Sequence, residues 1–301
     1  MTLFVIGNVT EDIVLGLPRL PEDGETLIAE SRIVDMGGKG LNQALIAGRS
    51  GMMVRLVTAI GRDDPGRRAR DLIGAEPFDA VLIEKDTATD QSIIAVAQDG
   101  ENHIISSAFS ASALTATEVI AAIDDAVAGD QLLMQGNLSY ATTLDMLRWA
   151  RERGVQSTVN PSPIRWDYEM IWPLVDRVIL NRAELQALTG CTNIDDAIAA
   201  LAARGVAETI VTLGADGAVL AAGNARIAVI AAVGTVVDTA GAGDTFCGVF
   251  IAAADRLQDH AAAMRLAARA AAITIGRSGT LSAFPSVEEV TEIFRAEEER
   301  H

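Results

Sequence analysis

Histidine is confined to His103, His260 and His301, and cysteine to Cys191 and Cys247. The histidines have no ligand spacing and the cysteines form no C-x-x-C pair. Histidine-triad chemistry, a His-metal cluster, a zinc site and a disulfide framework therefore have nothing to be built from. Both cysteines read as small buried apolar residues. Aromatic residues make up only 4% of the chain, so its 50% hydrophobic content is mostly Ala, Val, Leu and Ile. That composition suits helices packed on a parallel sheet better than an all-β sandwich.

Positive charge is also scarce: 24 Lys and Arg stand against 41 Asp and Glu, a net charge of -17. Nucleic acid and anionic membrane both require a basic face, so neither is an expected partner. A nucleotide is still allowed, because backbone N–H groups, one basic side chain and a metal hold phosphates locally. The longest apolar run, Ile227 to Val233, is too short to span a bilayer. The opening MTLFVIGNVTED has no basic n-region, so the sequence predicts a soluble, cytoplasmic protein.

With 301 residues the chain has room for two small domains or one large α/β domain with a sizeable core. Leu3 to Gly7, Val54 to Ile60, Ala80 to Ile83, Leu132 to Gln135, Val155 to Val159, Arg177 to Leu180 and Glu208 to Leu213 read as strands. Helical patterns alternate with them at Gly40 to Ser50 and through Val119, Ile120, Ile123 and Val127. Repeated βα units predict a mostly parallel sheet covered on both faces. Two segments break the rhythm, Ile13 to Met36 and Gln91 to Ser107, with β-branched stretches around Glu-Asp-Gly and Asp-Gly turns. They read either as surface hairpins or as a small sheet over the ligand-binding edge. A last helix, with Val287, Val290 and Phe294 on one face, is expected to fray into a charged EEERH tail.

The strongest local signal is Asp238-Thr-Ala-Gly-Ala-Gly-Asp-Thr-Phe-Cys-Gly, which leads into an apolar helix reaching about Leu257. Gly241, Ala242 and Gly243 place small residues where that helix begins, so backbone N–H groups and the helix dipole face an anion. Asp244 falls in the first turn. A carboxylate beside an anion pocket repels mere phosphate, but it suits a base that takes a proton from a hydroxyl attacking phosphorus. The plainer reading is a helix-start carboxylate after a Gly-rich turn. A second signal is Gly37-Gly38-Lys39-Gly40-Leu41-Asn42-Gln43-Ala44, in which paired glycines admit a ligand close to backbone and Asn42 offers both donor and acceptor. No G-x-x-x-x-G-K-[ST] loop is present. Asp12 follows the first strand at the end where parallel sheets bind ligands.

Together these pieces resemble the ribokinase-like (PfkB) carbohydrate kinases. Gly37 to Ala44 is similar to the family's N-terminal signature and Asp238 to Gly248 to its C-terminal one. Pro21 to Thr26, Asn-Pro-Ser-Pro at 160–163, Asn181 to Glu184 and Thr212 to Gly214 follow in the family's order along nearly the whole chain. The resemblance implies one ribokinase-like three-layer α/β domain over 1–301, with a small β-sheet lid from about 13–36 and 91–107. It implies an ATP-dependent transfer to a hydroxymethyl group of a small sugar. Asp244 is then the base and Gly241, Ala242 and Gly243 the anion hole. Asp12, Gly38, Lys39, Asn42 and Asn137 would hold the sugar. Asn181, Glu184, Thr212, Gly214 and Gly217 would border the nucleotide, Glu184 organising Mg²⁺ through water. Asp238, Ala240, Thr274 and Gly279 match the place of a monovalent cation such as K⁺. A homodimer through the lid is also implied.

Departures bear on the substrate. Thr10-Glu11-Asp12 stands where ribokinases have Asn-x-Asp, Asn137 where they carry a sugar-binding glutamate, and Ala283 where they have a serine, with Ser282 beside it. Lost hydrogen-bonding groups change specificity strongly. A nucleoside kinase of the same fold, with Phe109 near the base, is the alternative. A non-catalytic sugar or nucleotide sensor conflicts with the intact Asp244 and glycines, and a Rossmann dehydrogenase lacks G-x-G-x-x-G after the first strand.

Overall fold

The first strand, β1 (Thr2–Ile6), is buried on both faces: Leu3 and Val5 enter one apolar core, Phe4 and Ile6 the other. This two-residue alternation is the pleat of a strand with helices on either side. The structure, a computed structural model, describes residues 1–98 and 102–299. The Asp99-Gly100 turn and the end of the charged tail, Arg300 and His301, lie outside the described residues.

After β1 come β2 (Thr10–Leu17), β3 (Ser31–Gly37), α1 (Lys39–Arg49), β4 (Met53–Gly61), α2 (Asp64–Ile73) and β5 (Asp79–Lys85). Next are β6 (Asp90–Ala97), β7 (Asn102–Ser106), α3 (Phe109–Ser112), α4 (Ala116–Ala122), β8 (Gln131–Gln135) and α5 (Tyr140–Arg153). The chain continues through β9 (Gln156–Asn160), β10 (Arg177–Asn181), α6 (Arg182–Thr189), α7 (Ile194–Ala203) and β11 (Glu208–Thr212). It closes with β12 (Ala218–Ala222), β13 (Ala225–Val229), α8 (Ala242–Leu257), α9 (His260–Ile275) and α10 (Val287–Glu298).

Nine strands form the main sheet in the order β13-β12-β11-β10-β9-β8-β1-β4-β5. It is parallel from β11 to β5, and β12 and β13 close one edge antiparallel. Helices cover both faces, as the βα rhythm predicts. The core holding Leu3 and Val5 takes its helical side chains from α1, α2, α8, α9 and α10, and the opposite core takes them from α4, α5, α6 and α7. A second sheet of four strands, β3-β2-β6-β7, carries the two segments that break the rhythm. Its strands start at Thr10 and Asp90, slightly before the expected bounds, and residues 18–30 add no strand.

Three details differ from the sequence expectations. The helix through Val119 stops at Ala122 rather than continuing to Val127, which is exposed. Arg55 accounts for the stop: its guanidinium donates to the Ala122 carbonyl at 3.3 Å and pairs with Asp125 at 2.6 Å. The C-terminal tail does not fray at Glu297, which is fully buried beside Arg265 at 2.5 Å. Cys191 is half-buried, whereas Cys247 is buried as expected. No helix among the described residues is long and apolar enough to cross a membrane.

Candidate active site

The two glycine-rich signatures meet because α1 and α8 pack side by side. Gly248 makes that approach possible, since a β-carbon there would overlap Ile46 and come within 2.9 Å of the Gln43 carbonyl. The contact sets the start of α1 against the start of α8. Asp244 is 6% exposed, and three donors from α1 reach its carboxylate. Asn42 Nδ2 donates to Oδ2 at 2.9 Å, Gln43 Nε2 to Oδ1 at 2.8 Å, and Lys39 Nζ to Oδ1 at 3.5 Å. Buried charge is tolerable only when paired and hydrogen-bonded in this way. Burial alone would lower the pKa of Lys39, but the charges of Asp244 and Glu184 outweigh it and hold the ammonium protonated.

Gly241 caps α8 in the left-handed region at φ 75°, with the Phe284 ring where a β-carbon would stand. Only glycine suits both constraints. The Ala242 amide makes a long contact of 3.4 Å to the Thr239 carbonyl. The Gly243 and Asp244 amides have no acceptor among the described residues, so they are free to meet an anion at the positive end of a long helix.

At the head of α1, Gly38 caps the helix, and Asp12 projects from β2, 5% exposed. Burial raises the Asp12 carboxyl to about 6; hydrogen bonds from Thr10 and Ser92 oppose that shift, and the charges of Asp35 and Asp244 add to it. Thr10 Oγ1 donates to Asp12 Oδ1 at 2.6 Å, so this departure from Asn-x-Asp serves to orient the aspartate. Asn137 follows β8, and its carbonyl accepts from Arg165 at 2.8 Å. The buried amide oxygens of Asn42 and Asn137 accept no hydrogen bond from the protein. Leaving such an acceptor unpaired costs about 1–3 kcal/mol, a cost that a ligand hydroxyl removes.

Beside the head of α8 lies a cavity of about 600 Å³. Thr212, Gly214 and Gly217 border it, and Ala242 and Gly243 connect it to the head of α8. Its walls are small and apolar, among them Ala232, Val236, Ala268 and Ala272. Asn181 and Glu184 form a reciprocal capping box at the start of α6, with bonds of 2.9 and 2.8 Å. Capping does not remove Glu184 from the site, because its charge is felt at Lys39. Asp238 is joined to the end of α9 through its amide, which donates to the Ile275 carbonyl at 3.1 Å. This brings Asp238 to the C-terminal end of α9, where helix-end carbonyls favour a cation. Ala240 donates its amide to Asp238 Oδ1 at 2.9 Å, and Gly279 lies against Ser282.

Sequence reasoning missed Gln43 as a partner of Asp244 and missed the alanine walls of the cavity. Neither carries a local signature: one is a contact between distant segments, the other a set of methyl groups.

Residues 2–287 match the model of the pfkB family carbohydrate kinases. The chain belongs to the pfkB family. It is 31% identical over 299 residues to a ribokinase of Haemophilus influenzae, covering 97% of each chain. The ribokinase of Thermotoga maritima has a similar structure, with a TM-score of 0.89, 27% identity and coverage of 98% and 99%. A ribokinase of Cryptococcus neoformans in complex with ADP also superposes, with a TM-score of 0.80, 27% identity and coverage of 97% and 98%. This pfkB chain is an ATP-dependent sugar or nucleoside kinase.

Proposed function

We propose that the chain transfers the γ-phosphoryl group of ATP to a hydroxymethyl group of a small furanose-like sugar, with Asp244 as general base. The observation that carries this reading is the position of Asp244. It is held by Asn42 and Lys39 on the sugar side and continues into the unpaired amides of α8 on the nucleotide side. The sugar hydroxyl, gripped through Asp12, Asn42 and Asn137, attacks the γ-phosphorus and gives its proton to the Asp244 carboxylate. The bond from phosphorus to the β–γ bridging oxygen breaks, and ADP leaves. Charge on the transferring group is met by the Gly243 and Asp244 amides and by Lys39, so positioning and electrostatics supply most of the catalysis.

No cluster of three or more His, Cys, Asp or Glu suited to a metal occurs among the described residues. Glu184, which caps α6 with Asn181 and whose charge acts on Lys39, fits Mg²⁺ held mainly by phosphate oxygens and water. Bound there, the ion would neutralise β- and γ-phosphate charge. A monovalent cation would sit at Asp238 with the carbonyls of Ala240, Thr274 and Gly279. We assign the four-stranded sheet as a lid that also pairs two copies, on the strength of exposed Ile33, Ile93, Ile104 and Ile105 along it. A cytoplasmic location follows from dependence on ATP.

A nucleoside is the second acceptor class. Phe109 is 66% exposed at the head of α3, beside the lid, in a place where a base could stack. ADP release with Mg-ATP across pentoses, hexoses, sugar phosphates and nucleosides separates the two. A free pentose as the best acceptor supports the proposal, and a preference for nucleosides replaces it with the second class.

A further inference from the structure

Behind Asp244 lies a row of buried side-chain amides that the reaction scheme above does not use. Gln43 is 0% exposed, Gln135 1% and Asn160 8%. Gln135 and Asn160 are register partners on β8 and β9, and both meet Gln43 of α1.

The direction of the row is set at Asn160, by one main-chain group that can only accept. The Ile179 carbonyl takes Asn160 Nδ2 at 2.8 Å, which turns Asn160 Oδ1 toward Gln43. That oxygen accepts from Gln43 Nε2 at 3.2 Å, and the same nitrogen donates to Asp244 Oδ1 at 2.8 Å. Gln43 Oε1 therefore faces Gln135, whose Nε2 donates to it at 2.8 Å. Gln135 Oε1 is packed against Gly7, where a β-carbon would displace it. Were the Gln43 amide to turn over, it would set its oxygen against two acceptors and its nitrogen against a donor. Its N–H is committed to Asp244.

The partners of Asp244 differ in kind. The Lys39 side chain is 31% exposed, and the buried Asn42 keeps an amide oxygen with no partner in the protein, so both have capacity left for a bound hydroxyl. Gln43 has no exposed surface, and no substrate reaches it.

We propose that Gln43, oriented by Gln135 and Asn160, is a positioning residue for phosphoryl transfer. It fixes the rotamer of Asp244 and favours the ionised carboxylate through Oδ1, leaving Oδ2 to take the substrate proton. A hydrogen bond donated to the charged form stabilises that form, and a base fixed within a fraction of an ångström keeps the attacking geometry. The inference rests on Asp244 being the base. The other titratable groups facing Asp244 are Lys39, Asp12 and Cys247.

The test compares Gln43→Leu, Gln135→Leu and Asp244→Asn with the wild type, reading kcat against pH at saturating sugar and Mg-ATP. Saturation keeps Asp12 engaged by sugar, so the acid limb of kcat reports the base. Gln43→Leu is expected to lower kcat about 10–100-fold while the KM for ATP stays within about twofold. Its acid limb should move up by about one to two pH units, the shift produced by losing one hydrogen bond to a carboxylate. Gln135→Leu, which does not touch Asp244, should move both readouts the same way but less, and it carries the test if Gln43→Leu does not fold. A folded Gln43→Leu with wild-type kcat and limb overturns the proposal, and so does a kcat loss uniform across pH. Asp244→Asn tells the two failures apart: near-normal turnover in that variant overturns the base itself, whereas an inactive Asp244→Asn beside a normal Gln43→Leu overturns only the positioning role.

Discussion

Asn42 Nδ2 and Asp244 Oδ2 lie 2.9 Å apart although 202 positions separate them in the chain. Each comes from one of the two glycine-rich signatures, at the head of α1 and of α8, and the bond joins the two helix heads. Its length depends on how closely those helices pack.

Gly248 sets that packing. Replacing it with alanine forces a methyl group into Ile46 and against the Gln43 carbonyl. The expected cost is about 1–3 kcal/mol of stability, the usual penalty of overpacking a tight core. Thermal unfolding should show a lower Tm, and turnover should fall more than ATP affinity because α1 is pushed away from Asp244.

Asp12 trades stability for binding. Burial pushes its carboxyl from the ordinary 3.8 up to about 6 in the folded chain. A folded-state pKa above the unfolded one favours folding most below the unfolded pKa, and that advantage is lost as pH rises through the folded value. The ionised Asp12 thus opposes folding at neutral pH. Asp12→Asn should raise the stability of the unliganded protein at pH 7 by about 1–3 kcal/mol, a gain that vanishes below about pH 4. The same variant should bind sugar far more weakly, and the wild-type KM for sugar should climb as pH drops below about 6. Chemical denaturation at a series of pH values, with steady-state kinetics alongside, checks both halves.

Glu184 separates a capping role from a metal role. Glutamine retains the reciprocal cap with Asn181 but carries no charge. Glu184→Gln should leave Tm close to the wild-type value while the Mg²⁺ concentration for half-maximal activity rises several-fold. An unchanged Mg²⁺ titration would leave Glu184 as a cap alone.

What was legible in the sequence was local. The βα alternation marked the sheet, and the closely spaced glycines before apolar helices marked both helix heads, with Asp244 in the first turn of the second. Contacts joining distant segments were not legible. Gln43 looks like any polar residue in α1 until β8, β9 and α8 surround it, and Ala232, Ala268 and Ala272 carry no chemistry until they line one cavity. The early end of α4 depends on Arg55, more than sixty positions upstream, and the burial of Glu297 depends on Arg265. Glu184 was legible as a residue, and the helix cap it forms with Asn181 is the plainer of the two readings that the sequence allows.

The central claim is that Asp244 takes the proton. Turnover of Asp244→Asn with the best sugar acceptor, measured beside ATP binding, tests it most directly. The account predicts a kcat lower by about 10²–10⁴ with ATP affinity nearly unchanged. Turnover within a few-fold of wild type would contradict it.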